Sequence, residues 1–299
     1  MESTRKPLVS IRVLTYNHED FISECLDSIL EQTYKNIEIV ISDDGSQDST
    51  ASLLKDYADR YPKKIRLFLS DVNNGVTANA NIGLENCNGH YIAGLGGDDI
   101  LLPEKISKQV AYMEQNQRCV ICYHDIDVFE SISNKTLYKY SQKKKPKNGN
   151  YKLLISNPGI NGACSNMIRS NNFKEIGFDP FLPVASDVYC WFKILKNGGE
   201  IHYIDETLAR YRMHENNVST PKGNVTQNNL DHLVTFQKMI KDDPSNTALI
   251  FRAYLRYLLS LRKQTDYAFT CWINLIFNLS PKALVGLMAY CISFGKIKL

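Results

Sequence analysis

Two adjacent aspartates, Asp98-Asp99, are the residues of this sequence best suited to chemistry. They follow the apolar run 91–95, which predicts a buried strand with two carboxylates just beyond its end. Two ionised carboxylates side by side repel each other, and a bound cation offsets that repulsion. Oxygen ligands suit Mg²⁺ or Mn²⁺ and leave coordination positions open for phosphates. The alternative is a solvated aspartate turn that caps the next helix.

A repeated alternation of strand and helix must position this pair. Apolar runs at residues 8–14, 37–41, 65–69 and 91–95 predict four strands, and stretches with helical periodicity separate them. This order indicates a mostly parallel, Rossmann-like sheet with helices on both faces, in which ligands bind at the carboxyl ends of the strands. Three polar turns fall at those ends: Thr15-Tyr16-Asn17, Asp43-Asp44 and Asp98-Asp99.

The sequence lacks the glycine-rich loops that hold phosphate in other nucleotide sites. Neither G-x-G-x-x-G nor G-x-x-x-x-G-K-[ST] follows the first strand. We therefore expect phosphate to be held mainly through a metal ion, which agrees with acidic strand ends.

The order and spacing of these motifs resemble the family 2 glycosyltransferases, which have the GT-A fold. The resemblance covers about the first third of the chain and rests on these segments: Val9-Ser10-Ile11, Thr15-Tyr16-Asn17, residues 39–46, Asn74-Gly75, residues 89–92 and Asp98-Asp99. It implies an inverting, metal-dependent enzyme that uses a nucleotide-activated sugar, with UDP as the expected nucleotide.

The resemblance also assigns roles to the strand-end residues. The turn Thr15-Tyr16-Asn17 would contact the nucleotide, and one of Asp43 and Asp44 would recognise its base. Which of the two does so stays open, and a local turn with a capping aspartate is the alternative. Asp98 would contact the ribose and Asp99 would bind Mg²⁺ or Mn²⁺.

The sequence departs from the family pattern near these residues. Gly96 stands where the family often has a further acidic residue, Leu14 where it often has proline, and Ala80 where it often has arginine. The last change removes a cation that would meet the diphosphate.

A second group of candidate residues lies in the latter half of the chain. By resemblance, Asp187 is the general base that deprotonates the acceptor hydroxyl, with Ser186 replacing the family's glutamate. The alternative for Asp187 is an interaction with a helix dipole. Arg212 is a candidate phosphate contact, and His214 is a candidate metal ligand or a surface histidine. A rival motif, Asp125-Ile126-Asp127, is predicted to be a strand-end turn.

The predicted organisation is a GT-A domain followed by helices. Residues 1–220 would form the glycosyltransferase domain, with a nucleotide-binding half at about 1–125 and an acceptor-side half at about 126–220. Residues 221–299 would form a C-terminal helical region. Its most apolar part, 267–294, is broken into two pieces that are each shorter than a membrane span of about 20 residues. Helices packed on the domain, or an interfacial pair in peripheral contact with a membrane, are both compatible with this pattern.

Composition excludes several classes of protein. Hydrophobic residues at 43% and charged residues at 22% are typical of a globular protein. A net charge of +3 over 299 residues argues against a dedicated nucleic-acid binder. The N-terminus has no secretory h-region, and the eight cysteines are scattered, which favours reduced thiols in a cytoplasm. We expect a cytoplasmic protein, with peripheral association at the inner face of the membrane as a variant of that prediction.

The sequence thus predicts transfer of a sugar from a UDP-sugar to a glycan acceptor on a lipid carrier, in cell-surface polysaccharide synthesis. Two alternatives stay open. One is a non-catalytic GT-A-like binding or scaffold protein, which the departures at Gly96, Ala80 and Ser186 favour. The other is a sugar-phosphate nucleotidyltransferase, which would need a glycine-rich basic loop after the first strand, where Thr15-Tyr16-Asn17-His18 stands.

Overall fold

The computed structural model describes residues 6–157, 162–171, 173–215, 217 and 226–261. The chain divides into two compact units, Met1–Leu154 with Gly159–Val218 and Ile155–Pro158 with Ser219–Leu299. The predicted apolar segment 267–294 lies outside the described residues. The predicted domain boundary at residue 220 stays a prediction.

Nine strands and ten α-helices occur in the described part of the chain. The strands are β1 Val9–Thr15, β2 Ile37–Asp43, β3 Ile65–Leu69, β4 Tyr91–Gly96, β5 Ile100–Leu101, β6 Cys119–Glu130, β7 Thr136–Lys139, β8 Met167–Arg169 and β9 Glu200–Met213. The helices are α1 Ile22–Leu30, α2 Thr50–Arg60, α3 Val76–Glu85, α4 Lys105–Gln115, α5 Tyr140–Lys143, α6 Tyr151–Ser156, α7 Phe173–Ile176, α8 Asp187–Lys196, α9 Gln227–Asp242 and α10 Thr247–Ser260.

One sheet runs through the first unit, in the order β3-β2-β1-β4-β8-β6-β9-β5, with β7 beside β6. The pairs β3-β2, β2-β1, β1-β4 and β6-β9 are parallel, and β5, β7 and β8 pair antiparallel with their neighbours. The prediction of a mostly parallel sheet flanked by helices is confirmed.

The parallel half forms where the sequence is apolar and β-branched. Val9, Ile11 and Val13 of β1 are fully buried, because neighbours cover both faces of a central parallel strand. Thr15 pairs with Asp43 at the last position of the β1-β2 ladder, and Leu14 pairs with Gly96 at the end of the β1-β4 ladder. The ladders therefore bring three strand ends to the same edge of the sheet.

The prediction that Asp125-Ile126-Asp127 is a strand-end turn is wrong. These residues lie inside β6, which continues to Glu130 in parallel pairing with β9. A register shift at Asp125 turns its carboxylate toward Ser141, whose amide and hydroxyl donate to it at 2.8 and 2.6 Å. Asp127 forms an ion pair with Arg210 at 2.9 Å. Because both carboxylates have partners, the strand tolerates them in its interior.

The described part of the second unit is helical. Thr226 caps α9, its side chain accepting from the amide of Asn229. The Asn229 amide group also donates to the Tyr257 hydroxyl of α10 at 3.0 Å, and the Phe236 ring packs edge-on against Tyr254. Among the described helices, none has both the length and the apolar character needed to cross a bilayer.

Candidate active site

The turns after β1, β2 and β4 are joined by direct hydrogen bonds. The amide of Asp44 donates to the Thr15 carbonyl at 3.0 Å, and the amide of Gly97 donates to the Leu14 carbonyl at 2.8 Å. The sequence-predicted convergence of the three polar turns is therefore present in the structure.

Asn17 shapes the turn after β1. Its φ of 53° lies in the left-handed region, which asparagine tolerates better than most residues. Its amide donates to the Ser46 hydroxyl at 2.9 Å, and its side-chain oxygen accepts from the Gln47 amide at 2.8 Å. Tyr16 beside it remains 40% exposed, so its ring is accessible to a ligand.

Asp43 and Asp44 are both buried but have different partners. Asp43 accepts from the amide and the hydroxyl of Ser46, so the local cap considered for the turn Asp44-Gly45-Ser46 is provided by Asp43. Asp44 reaches across to the loop before α3 and accepts from the amides of Asn74 and Gly75 at 2.8 and 2.9 Å. Each carboxylate oxygen can accept a further bond, so either residue can still contact a ligand.

Gly45 is required for that arrangement. Its φ is +74°, and a Cβ at this position would lie 2.7 Å from the Val72 carbonyl carbon. Only glycine lets the two loops approach so closely, and this approach places Asp44 at the start of α3.

Asp98 lies between two histidines. Its Oδ2 is 3.0 Å from Nε2 of His214, 3.4 Å from Nδ2 of Asn217 and 4.0 Å from Nε2 of His18. Burial raises the pKa of Asp98, but the His214 hydrogen bond and the His18 charge outweigh it, so that its net pKa is lowered. Asp98 is therefore held as a carboxylate.

The pKa of Asp99 is shifted in the opposite direction to that of Asp98. Asp99 is 3% exposed, and its Oδ1 accepts from the Arg212 amide at 3.1 Å. The neighbouring Cys164 thiol acts to lower the pKa of Asp99. Burial, and then the charge of Asp98, raise the pKa of Asp99 well above its usual range. A buried carboxylate next to a second ionised one is an environment that a divalent cation would stabilise.

The side chains available as metal ligands fit a cation only in part. Within the described ranges, no cluster of three or more histidine, cysteine or acidic side chains is arranged to hold a metal ion. His214 binds Asp98, not Asp99, so its predicted role as a metal ligand stays a prediction. Mg²⁺ sites of this kind take several ligands from substrate phosphates and water, which suits one or two carboxylates.

Gly96 leaves room for the acidic pair. A Cβ at this position would lie 2.5 Å from Oδ1 of Asp98. The carboxylate of Asp98 therefore occupies the space that a larger residue at position 96 would need. Glycine at position 96, where the family often has an acidic residue, therefore allows Asp98 to take its observed position.

Arg212 is buried beneath the acidic pair. Its Nε donates to the carbonyl of Asp98 at 2.8 Å, and its guanidinium forms an ion pair with Glu24. The guanidinium centre lies 4.9 Å from the Phe21 ring and 4.7 Å from the Phe129 ring. The Arg212 guanidinium is buried and already paired with Glu24, and its predicted contact with a phosphate stays a prediction.

Asp187 is the first residue of α8, and its side chain is exposed. Its Oδ1 accepts from the amide of Val188 at 2.8 Å, so the helix-terminus interaction considered from the sequence is present. That contact leaves the second carboxylate oxygen of Asp187 available for a proton. Ser186 beside it is buried and accepts from the Asp179 amide at 2.6 Å.

The segment before Asp187 is attached to the start of α3. The Thr77 hydroxyl donates to the Leu182 carbonyl at 2.5 Å, and the Thr77 amide donates to the Pro183 carbonyl at 3.3 Å. Thr77 lies two residues after Gly75, whose amide donates to the Asp44 carboxylate. The loop that contacts Asp44 and the segment that leads to Asp187 are therefore joined.

Several residues of this site were not predicted from the sequence. His18 and Ser46 directly adjoin predicted motifs, and that adjacency was the only signal for them. Cys164, Glu24 and Asn217 reach the acidic pair or Arg212 from distant positions, and the sequence assigned a role to none of them.

Comparison with known proteins identifies the class of protein first. The fold matches solved GT-A glycosyltransferases. It superposes on residues 1–349 of Staphylococcus aureus TarS in complex with UDP-GlcNAc with a TM-score of 0.67, at 14% identity, covering 96% of this chain and 92% of that one. A Pyrobaculum calidifontis mannosyltransferase in complex with GDP-Man and Mn²⁺ gives 0.62 at 17% identity, over 99% and 82% of the two chains.

The sequence then identifies the family. The model for glycosyl transferase family 2 matches residues 10–177, and the chain belongs to that family. An uncharacterized glycosyltransferase of Rickettsia felis is 34% identical over 80% of this chain and 40% of its own length. One of Rickettsia typhi is 35% identical over 72% and 66%, and one of Haemophilus influenzae is 33% identical over 72% and 68%. The chain thus spans between two fifths and about two thirds of these relatives.

Proposed function

We propose that this protein is an inverting glycosyltransferase that transfers a sugar from a UDP-sugar to a glycan acceptor. The observation that carries the proposal is the joined set of strand-end turns, in which Asp44, the half-buried Asp98 and the buried Asp99 lie around Thr15. Membership of family 2 supports it, as do fold neighbours that bind UDP-GlcNAc and GDP-Man.

The nucleotide half of the donor would bind along the ends of β1 and β2. Tyr16 and Asn17 flank this edge, and Asp43 or Asp44 would accept a hydrogen bond from an N–H of the base. Asp98, which is held ionised, would accept from a ribose hydroxyl. These contacts would fix the sugar diphosphate next to Asp99.

Asp99 would hold Mg²⁺ or Mn²⁺, with His214 as a second candidate ligand. A divalent ion bound there would stabilise the negative charge of the departing diphosphate. Arg212 would add a positive charge on the same side if the phosphate displaced Glu24. The carboxylate of Asp99 is buried, and burial and the charge of Asp98 both raise its pKa, which supports this assignment.

Asp187 would act as the general base. Its carboxylate takes the proton of the acceptor hydroxyl while that oxygen attacks the anomeric carbon, and the bond from that carbon to the diphosphate oxygen breaks. Attack opposite the leaving group inverts the anomeric configuration. A single well-placed carboxylate is sufficient for this displacement.

We propose a glycan on a lipid carrier, which the protein would meet in the cytoplasm at the inner face of the membrane during cell-surface polysaccharide synthesis. The predicted interfacial helices at 267–294 would support such contact.

Donor binding tests the proposal. Isothermal titration calorimetry would compare UDP, UDP-GlcNAc, UDP-glucose and GDP-mannose in Mn²⁺, Mg²⁺ and EDTA. We expect one UDP-sugar to bind in a metal-dependent way, and Asp99→Asn to weaken that binding. Asp205→Asn, which removes an exposed carboxylate on β9, is the matched control and should bind normally. If no nucleotide sugar binds with any metal, the strand-end carboxylates are structural and the scaffold alternative is correct.

A further inference from the structure

One surface segment of this protein is strongly basic. Between Ser131 and Lys152 the sequence contains seven lysines and no aspartate or glutamate. Every one of these lysines is exposed: Lys135, Lys139, Lys143, Lys144, Lys145, Lys147 and Lys152. Because the whole chain carries only +3, the rest of it is net acidic. We call residues 131–152 the basic segment.

The basic segment begins with an apolar hairpin tip. The chain turns between β6 and β7, and Ile132 in that turn is 94% exposed. Leu137 on β7 is 51% exposed. Both side chains are accessible to a partner, and their burial in an apolar environment would be favourable.

Hydrogen bonds fix the conformation of the hairpin turn. The Glu130 amide donates to the Lys135 carbonyl at 3.0 Å, and the Ser133 amide donates to the Glu130 carboxylate at 2.7 Å. Arg210 on β9 donates to the Asn134 side chain at 2.8 Å. The turn therefore presents Ile132 on a fixed support, and little conformational entropy would be lost when it meets a partner.

We propose that the basic segment is a membrane-docking surface that binds anionic lipid bilayers, with Ile132 and Leu137 entering the interface and the lysines contacting headgroups. An apolar group and a polybasic patch are the two signals that together give stable attachment to a bilayer.

Other occupants explain the surface less well. A second copy of this chain that paired through the same segment would bring the same lysines and be repelled. A soluble polyanion would satisfy the lysines but leave Ile132 in water. An anionic bilayer matches both the charge and the apolar tip.

The position of this surface bears on the reaction. Tyr140 follows β7 directly, and the charge of Asp187 adds to burial and to the neighbouring Tyr138 in raising the pKa of Tyr140. The charge of Asp187 therefore reaches the basic segment at Tyr140, and docking there would hold the protein at the surface where a lipid-linked acceptor lies. This last consequence rests on the proposed function, whereas the docking itself does not.

Vesicle co-sedimentation of the full chain tests the proposal. We expect binding to vesicles of phosphatidylcholine mixed with phosphatidylglycerol, weak binding to phosphatidylcholine alone, and release by high salt. The triple variant Lys143→Gln/Lys145→Gln/Lys147→Gln should bind on the order of a hundred-fold more weakly. Ile132→Ser should bind roughly ten-fold more weakly. The control Lys55→Gln/Lys63→Gln/Lys64→Gln, on and after α2, removes the same charge and should bind far better than the first triple variant.

Several outcomes would overturn the proposal. Absence of binding to the mixed vesicles would do so, and so would binding that survives both the lysine and the Ile132 changes, because the contact would then lie elsewhere. If only the lysines matter and inorganic polyphosphate competes fully, the segment binds polyanions instead. Thermal unfolding of each variant would confirm that it is folded. Donor binding measured without vesicles reports on the proposed function separately.

Discussion

Lys105 is buried without a counter-ion, and this has a measurable consequence. It is 0% exposed in the first turn of α4, and its Nζ donates to Oε1 of Gln109 at 2.7 Å. Within the described residues no carboxylate lies within ion-pair distance of it. Burial therefore lowers the pKa of Lys105 from 10.5 to about 8.

The cost of this buried ammonium group follows from the pKa change. A fall from 10.5 to about 8 corresponds to about 3 kcal/mol against the charged form in the folded chain at neutral pH. We predict that Lys105→Met removes this cost. The change leaves Oε1 of Gln109 without its donor, which costs about 1–2 kcal/mol. The variant should then be more stable than wild type by about 1–2 kcal/mol near pH 7.

The pH dependence is the sharper test. Below pH 8 both the folded and the unfolded chain hold the proton, and the folded state carries the full penalty. Between pH 8 and 10.5 the unfolded chain still binds a proton that the folded chain has lost, so Lys105 makes stability rise with pH. Wild type should therefore gain about 2–3 kcal/mol relative to Lys105→Met between about pH 7 and pH 10.

Urea unfolding at a series of pH values measures this difference. Subtracting the variant from wild type cancels the thiols and tyrosines that also titrate at alkaline pH. Lys108→Met is the matched control, because Lys108 lies on the same helix but pairs with Glu104 and Glu206 near the surface. A stability difference between wild type and Lys105→Met that does not change with pH would refute the reasoning.

Three further predictions concern the acidic site. Gly45→Ala should destabilise the protein by at least about 1–2 kcal/mol in urea unfolding, because φ is +74° and the Cβ would meet Val72; unchanged stability would contradict this. Glu24→Gln should tighten donor binding several-fold in calorimetry if Arg212 turns to the diphosphate, and unchanged affinity would remove Arg212 from that role. Metal-dependent donor binding should release protons, since the raised pKa of Asp99 favours its protonated form without metal; calorimetry in two buffers of different ionisation enthalpy would detect this, and Asp99→Asn should abolish it.

The parallel half of the fold could be predicted from the sequence because its strands are continuous apolar runs. Ile65–Leu69 of β3 matches the predicted strand, and β1, β2 and β4 differ from their predictions by one or two residues at an end. Strands buried on both faces leave a clear pattern, and polar residues mark their carboxyl ends.

The length of β6 could not be predicted in the same way. Asp125 and Asp127 indicate a turn when only local sequence is considered. Their partners, Ser141 and Arg210, lie 16 and 83 positions away, and it is these contacts that let the strand continue. Tertiary hydrogen bonds of this kind have no local sequence signal.

In the candidate site too, some features could be predicted from the sequence and others could not. The sequence singled out Asp98 and His214, and the structure joins them at 3.0 Å although they are 116 positions apart. The pattern could not show that the histidine binds Asp98 and not Asp99. The thiol of Cys164 beside Asp99 was beyond prediction too, because the contact depends on how the chain packs.

Donor hydrolysis by an Asp187→Asn variant decides whether Asp187 is the general base. Water can replace the acceptor, so the assay needs only the UDP-sugar found by calorimetry, the metal and the full chain. If Asp187 is the general base, the variant should bind the donor with wild-type affinity but hydrolyse it at least about a hundred-fold more slowly. Asp205→Asn should hydrolyse it normally. An Asp187→Asn protein that hydrolyses the donor at the wild-type rate would contradict the account.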